Sequence, residues 1–133
     1  MSAEAFFDTN ILIYAVAIDD PRADRARAVL AEGGRVGVQA LNEFVNVSRR
    51  KLMRDWADIE AALTAFRTLL GDPLTLTDSI HAVAVTLARD HGLAFFDALI
   101  VSAAMEARCA TLWSEDMQDG RVFGGLTIRN PFA

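Results

Sequence analysis

Four acidic residues stand out because of where they lie in the chain. Asp8 interrupts the apolar run AFFDTNILIYA, and Asp97 is the only charged residue in LAFFDALIVSAAM. An isolated buried carboxylate is costly, so each of these charges needs a partner or a chemical use. Glu43 in QALNEF and Asp116 in LWSEDMQDG complete the set. Carboxylates without His or Cys suit Mg²⁺ or Mn²⁺, and such a site could support phosphoryl chemistry with a metal-activated water.

The elements that must position these carboxylates alternate between short apolar runs and helical segments. The sequence predicts strands over residues 4–8, 35–38, 73–77, 110–114 and 126–130. It predicts helices over residues 9–18, 19–34, 39–53, 55–71, 78–92 and 96–108, and a loop over residues 115–125. This alternation indicates an α/β fold, a three-layer α/β/α sandwich with a central, mostly parallel five-stranded sheet. Residues 1–133 are expected to form a single domain.

The predicted elements bring the four acids to one edge of the sheet. Asp8 ends the first strand, and Glu43 lies in the first turns of the helix after the second strand. Asp97 lies in the first turn of the helix that leads into the fourth strand, and Asp116 lies just beyond that strand. In a parallel sheet these positions share the carboxyl edge, where ligands bind. Because like charges repel at close range, we expect a hard divalent cation to neutralise the cluster.

Four segments carry a resemblance to a known family. FFDTNILIYA, QALNEF, LAFFDALIVSAA and LWSEDMQDG resemble, in order and spacing, the PIN-domain ribonucleases, and in particular the VapC-type toxins of bacterial type II toxin–antitoxin systems. The resemblance implies an endoribonuclease that depends on Mg²⁺ or Mn²⁺, forms a homodimer and is held inactive by a cognate antitoxin. The positions that match the family's catalytic, metal-binding acids are Asp8, Glu43, Asp97 and Asp116. Those that match its supporting polar positions are Asn10 and Ser114.

The chain departs from the family pattern in one place. Many members have Thr-x-Asp/Asn-x-x-Asp after the fourth strand, whereas this chain has SEDMQD over residues 114–119. Asp116 fits the fourth acidic position best. Glu115 and Asp119 are close enough that the fourth ligand stays open among the three, with Asp119 as a further supporting residue.

Composition and charge limit the classes of protein. With 53% hydrophobic and 23% charged residues, the chain is globular rather than disordered. A net charge of −5 disfavours simple electrostatic binding of RNA, unless bound cations reverse the local sign. The single cysteine, Cys109, excludes an internal disulfide. No basic residue precedes Arg22 and no apolar run approaches a membrane span, so we expect a cytoplasmic protein without a membrane partner.

Two other functions remain open from the residues alone. A non-catalytic binding module could have kept the fold, because each acid by itself could be a helix cap or a surface residue. A phosphoaspartate phosphatase or receiver-like protein would use Asp8 as nucleophile. Such proteins need a lysine at a strand end, and the only lysine here, Lys51, is predicted in a helix. EDTA-sensitive cleavage of RNA by purified protein would separate the endoribonuclease from both alternatives.

Overall fold

The structure is a computed structural model that describes residues 4–133. Within these residues the strands are β1 (Ala5–Phe7), β2 (Thr111–Trp113), β3 (Val122–Phe123) and β4 (Leu126–Arg129). The helices are α1 (Thr9–Ala15), α2 (Ala23–Ala31), α3 (Val38–Arg50), α4 (Trp56–Leu70), α5 (Asp78–His91) and α6 (Phe95–Glu106). Of these helices, none has both the length and the hydropathy that crossing a bilayer requires.

The sheet is mostly parallel, as predicted. Its strand order is β1-β2-β4-β3, in which β1 pairs with β2 and β2 with β4 in parallel, whereas β3 pairs with β4 antiparallel. The register places Phe6 opposite Leu112, and Leu112 opposite Ile128. The two parallel pairings align the carboxyl ends of β1 and β2, which is where Asp8 and Ser114 follow.

The predicted strand count of five is wrong for the described residues, which contain four strands. Residues 35–38 and 73–77 form only isolated parallel bridges, Phe6 with Arg35 and Gly37 with Leu74. The first run is cut short because α3 already begins at Val38, and Pro73 lacks the N–H that a longer ladder would need. These two segments therefore extend the sheet by single residue pairs.

The predicted loop over residues 115–125 contains a strand. Val122 pairs with Thr127 and Phe123 with Leu126, so Gly124 and Gly125 form the two-residue turn of a β-hairpin. Gly124 has φ +60°, a conformation that glycine adopts without steric cost. A Gly-Gly pair between apolar residues is a known hairpin signal, and the two-residue strand was too short for the periodicity to reveal.

The core has two parts, one on each face of the sheet. Neighbouring residues of a strand point to opposite faces, so Phe6 and Phe7 enter different clusters. Phe6 packs with the residues of α5, α6 and β2, and Phe7 packs with those of α1 to α4. The predicted three-layer α/β/α arrangement is therefore confirmed. Helix α6 is buried without interruption from Ala98 to Ala104, as its apolar sequence indicates.

The chain's one cysteine lies in the α5–α6 part of the core. Cys109 is only 4% exposed and belongs to the same cluster as Phe6. Burial, together with the negative charge of Glu4, raises the pKa of its thiol to about 11, against the lowering effect of Arg35. The thiol is therefore protonated and shielded in the folded protein.

A glycine lets the segment before α3 approach β1. Gly34 has φ +147°, and a Cβ there would lie 2.8 Å from a ring carbon of Phe7 and against the carbonyl oxygen of Ala5. This approach allows the Arg35 N–H to donate to the Ala5 carbonyl at 2.7 Å, and the Phe7 N–H to donate to the Arg35 carbonyl at 3.1 Å. Gly34 thus fixes where α3 starts relative to β1.

Candidate active site

Asp8 occupies the turn between β1 and α1 and is 6% exposed. Its Oδ1 accepts a hydrogen bond from the Thr9 N–H at 2.7 Å, and its Oδ2 accepts one from the Ser114 hydroxyl at 2.7 Å. Burial, together with the charges of Asp116 and Asp97, raises the pKa of Asp8 to about 6, against the lowering effect of these two hydrogen bonds. Asp8 is the N-cap of α1, but that role does not require its close approach to other carboxylates.

Glu43 lies on the second turn of α3 and is half-buried rather than on the open surface. Its Oε1 accepts a hydrogen bond from the Thr9 hydroxyl at 2.5 Å, and its Oε2 accepts one from the Gln39 amide at 3.3 Å. The Gln39 amide also donates to the carbonyl of Phe96, directly before Asp97, at 3.3 Å. Glu43 is therefore joined to both α1 and the start of α6.

Asp97 lies in the first turn of α6 and is half-buried. The N-cap of this helix is Ala94, so Asp97 does not fill the capping position. Burial raises the pKa of Asp97, and the negative charges of Asp116 and Glu43 raise it further. The helix presents this carboxylate to the same cluster that perturbs Asp8.

Asp116 is the acid of residues 115–119 that joins the cluster. Its Oδ2 accepts a hydrogen bond from the Asn10 amide at 3.1 Å, and its N–H donates to the Ser114 hydroxyl at 3.3 Å. Asp119 points elsewhere, since its Oδ1 accepts from the N–H of Asn130 at 2.8 Å. The carboxylate of Glu115 is bound by Tyr14 and Arg22. The geometry thus favours Asp116 among the three acids that the sequence left open.

The structure places the four sequence-predicted acids at one edge of the sheet, where the charges of Asp116 and Asp97 act on Asp8 and those of Asp116 and Glu43 act on Asp97. Sequence reasoning missed the side chains that hold these acids in place. Thr9 donates its hydroxyl hydrogen to Glu43, 34 residues away, which no local pattern reveals. Gln39 precedes Glu43 by four residues on a helix, and that spacing could have predicted their hydrogen bond. Tyr14 and Arg22 reach Glu115 over about a hundred residues of chain, which no local pattern reveals.

The donors at this edge fit a hard divalent cation, but they do not form a closed cage. Within residues 4–133, no three acidic, His or Cys side chains lie together as a group that could hold a metal ion. Mg²⁺ keeps several waters and needs only one or two direct carboxylates, so a closed cage is not required. The buried Oδ1 of Asn10 has no hydrogen-bond partner in the described part of the chain. An unsatisfied acceptor beside Asp116 is a place where a metal-bound water could donate.

Comparisons with known proteins agree with this arrangement. The sequence profile of the PIN domain matches residues 5–119. A toxin–antitoxin complex from Klebsiella pneumoniae superposes with a TM-score of 0.72, at 21% identity and with coverage of 96% of this chain and 98% of that one. VapC20 from Mycobacterium tuberculosis, a sarcin–ricin loop cleaving toxin, superposes with a TM-score of 0.70, at 16% identity and with coverage of 85% and 92%.

A third structure is VapBC2 from Rickettsia felis, bound to a DNA fragment from their promoter. It superposes with a TM-score of 0.68, at 19% identity and with coverage of 95% of this chain and 97% of that one. No curated protein matches the sequence. At these identities the likeness to the solved structures shows the fold.

Proposed function

Because the chain belongs to the PIN domain family, we propose that it is a metal-dependent endoribonuclease, the toxin of a toxin–antitoxin pair. The observation that carries the proposal is the convergence of four carboxylates, one of them buried with a pKa of about 6, at the carboxyl edge of the sheet. Repulsion of this kind persists at functional sites where a cation relieves it. The VapC-like neighbours support the toxin role.

The proposed cation is Mg²⁺ or Mn²⁺, held by Asp8, Asp97 and Asp116 with Glu43 beside them. When bound, such a cation stabilises charge on the phosphoryl group and activates water. The chain's own residues orient the carboxylates: Ser114 fixes Asp8, Thr9 fixes Glu43, and Asn10 fixes Asp116. Neutralising the cluster also allows a protein with net charge −5 to accept an RNA phosphate.

The test is cleavage of total RNA by the purified protein, with Mg²⁺, with Mn²⁺ and with EDTA. We expect defined fragments with either cation and none with EDTA. Mapping the fragment ends then identifies the RNA target, and the chemistry of those ends shows whether water attacked the phosphorus. Intact RNA under every condition would contradict the endoribonuclease and favour the non-catalytic binding module.

The phosphoaspartate alternative fits the geometry poorly. The only lysine, Lys51, is an exposed residue at the C-terminal end of α3, whereas Glu43 and the acidic cluster lie near the opposite end of that helix. A lysine so placed does not support a phosphoryl group on Asp8.

An RNA substrate also suits a cytoplasmic location, which is part of the proposal.

A groove of about 590 Å³ supports an antitoxin partner. It lies between the end of α1 and the connection from α3 to α4. Its exposed apolar side chains are Ile18, Leu52 and Met53. Its acidic side chains are Asp19, Asp20, Asp55 and Asp58. Arg54 also lines the groove, but the four acidic side chains outnumber it. Exposed apolar side chains with a net acidic surround favour an amphipathic segment that carries Arg or Lys, so we propose that the antitoxin docks here.

Two exposed positions test this docking. Met53 and Ile18 are 77% and 80% exposed, so Met53→Asp and Ile18→Asp should leave the fold intact. Both should weaken co-purification with the product of the neighbouring gene. Val122→Asp, at an exposed apolar site on β3, is the matched control and should co-purify normally. Equal recovery of the partner with all three variants would place it elsewhere.

Exposed apolar side chains around α5 support the proposed homodimer. They are Leu76, Val83, Val85, Phe95 and Phe96. Such a set on one chain is typical of a surface that a second copy covers. Light scattering at micromolar concentration should give twice the mass of one chain, and Val85→Glu should lower it. A wild-type protein with the mass of one chain would contradict the dimer.

A further inference from the structure

The segment after β2 is held at two points. Ser114 donates its hydroxyl hydrogen to Asp8 at 2.7 Å and accepts from the N–H of Asp116 at 3.3 Å. The next residue, Glu115, is half-buried, and its side chain is bound by Tyr14 and Arg22. The segment is therefore held at Ser114 and Glu115, the two residues immediately before Asp116.

Both carboxylate oxygens of Glu115 are occupied. The Tyr14 hydroxyl donates to Oε1 at 2.5 Å, and Nη1 of Arg22 donates to Oε2 at 3.2 Å. Nη1 of Arg22 also donates to the Tyr14 oxygen at 2.7 Å, and the guanidinium lies over the Tyr14 ring, 3.9 Å from its centroid. The three side chains thus restrain one another.

Arg22 is itself oriented by Asp20. Its Nε donates to Asp20 Oδ1 at 3.1 Å and its Nη2 to Oδ2 at 3.0 Å, the bidentate geometry in which guanidinium and carboxylate match. The backbone N–H of Arg22 adds a third bond to Asp20 Oδ1 at 2.9 Å. These bonds to Asp20 hold the guanidinium group in the orientation in which it donates to Glu115.

We propose that Asp20, Arg22 and Tyr14 form a clamp that holds Glu115 in place and so positions Asp116 for the cation. The proposal rests on the proposed function. Glu115 and Asp116 are adjacent, so release of Glu115 would free the backbone that carries Asp116 and disturb the geometry in which Asn10 and Ser114 hold it. Arg22 and Tyr14 are positioning residues here, since they act through Glu115 and Asp116.

A different result is expected if the Arg22–Glu115 ion pair serves only to stabilise the fold. The Arg22 side chain is 40% exposed, and ion pairs of that exposure contribute little to stability. If the clamp were only structural, its removal would lower the melting temperature slightly and leave cation binding unchanged. Cation affinity therefore separates the two roles.

The experiment measures Mn²⁺ binding to the full chain by calorimetry, together with kcat and KM for RNA. Arg22→Gln should weaken Mn²⁺ binding by about 10–100-fold, the usual effect of losing a residue that orients a ligand, and should lower kcat more than KM. Arg22→Lys should recover only part of the loss, because an ammonium group cannot reproduce the bidentate geometry. Arg89→Gln breaks another exposed Arg–Asp pair, with Asp90, and is the matched control.

The double variant Arg22→Gln, Glu115→Gln is decisive for the mechanism. It should bind Mn²⁺ no more weakly than Arg22→Gln alone, because both changes remove the same anchor, whereas two independent contacts would give additive losses. Tyr14→Phe removes only the hydroxyl bond to Glu115 and should give an intermediate loss, which keeps the test valid if Arg22→Gln fails to fold.

Three results would overturn the clamp. They are wild-type affinity in both Arg22→Gln and Tyr14→Phe, a further loss in the double variant beyond that of Arg22→Gln, and an equal loss in Arg89→Gln. If the wild type binds Mn²⁺ but does not cleave RNA, the proposed function fails while the binding data still test the clamp. A wild type that binds no Mn²⁺ overturns both.

Discussion

Asp97 carries a negative charge at the start of an otherwise apolar helix, where it is not the capping residue. We expect Asp97→Asn to lower RNA cleavage by more than about 100-fold, beyond the effect of losing a residue that only orients a ligand. The fold should survive, because the change removes a charge whose pKa burial already raises. Cleavage rates and circular dichroism of the variant check this.

Asp72→Asn is the control for Asp97→Asn. Asp72 is an exposed residue after α4, so its variant should cleave at the wild-type rate. A folded Asp97→Asn protein with near-normal cleavage would remove Asp97 from the proposed site.

Asp8 is the most buried of the four acids, so its charge makes the largest unfavourable electrostatic contribution to the stability of the fold. Asp8→Asn should stabilise the protein in EDTA by about 0.5–2 kcal/mol, since it relieves both burial of charge and repulsion. Asn can still accept the Thr9 N–H as a helix cap. Millimolar Mg²⁺ should raise the melting temperature of the wild type more than that of the variant, because only the wild type keeps all its ligands.

Thermal melting of both proteins in EDTA and in Mg²⁺ checks this prediction. If Asp8→Asn melts below the wild type in EDTA and both respond equally to Mg²⁺, Asp8 is a structural cap and the cation lies elsewhere.

At the scale of elements, α5 is fixed at its start by Thr77, whose hydroxyl oxygen accepts a hydrogen bond from the Ile80 N–H at 3.1 Å. Asp78 follows Thr77 as the first residue of the helix. Thr77→Ala should cost about 1 kcal/mol in unfolding free energy. Asp55→Ala at α4 should cost less, because the Asp55 side chain makes no capping hydrogen bond. Urea unfolding of both variants compares them, and an equal loss would contradict the role of the Thr77 hydroxyl.

Helices were more predictable than strands for a physical reason. The apolar spacing and the glycines after α4 and α5 predicted those helices closely, since Gly71 and Gly92 adopt positive φ where the helices end. A strand depends on its neighbours. The runs at residues 35–38 and 73–77 have strand-like composition, yet the first forms only two isolated bridges and the second forms only one.

The sequence predicted which acids the candidate site contains, but not the hydrogen bonds that hold them in place. Asp8 and Asp97 are conspicuous because charge is rare in apolar segments. Glu115, next to Asp116, is bound by Arg22 and Tyr14, which are distant in sequence. Such contacts follow from packing of the whole chain, so the local pattern left the choice open.

At the scale of the whole molecule, the site exists only when all layers assemble. Asp8 follows β1 at one end of the chain and Asp116 follows β2 more than a hundred residues later, while Glu43 is carried on α3. The position of α3 relative to β1 depends on the close approach at Gly34. Substitutions of Gly34 should therefore alter the geometry of the candidate site, although Gly34 is not one of its residues.

Gly34→Ala and Gly33→Ala form a matched pair. Both glycines have positive φ, but a Cβ at Gly33 meets no atom within 4 Å, whereas one at Gly34 meets Phe7 and the Ala5 carbonyl. Gly33→Ala should cost about 1 kcal/mol of stability from backbone strain alone. Gly34→Ala should cost about 2–5 kcal/mol, since overpacking adds to the strain. Denaturation and cleavage assays check the pair, and equal effects would show that the contact at Gly34 is unimportant.

The buried thiol of Cys109 gives the molecule a built-in reporter. Because the chain has one cysteine and its side chain is 4% exposed, a thiol reagent can label the protein only during transient opening. The labelling rate is then proportional to the fraction of molecules that are transiently open. Mg²⁺ that binds only the closed form should slow labelling by the factor 1 + [Mg²⁺]/Kd, which yields a dissociation constant without any substrate. In Asp8→Asn this slowing should largely disappear, and an unchanged dependence on Mg²⁺ would exclude Asp8 as a ligand.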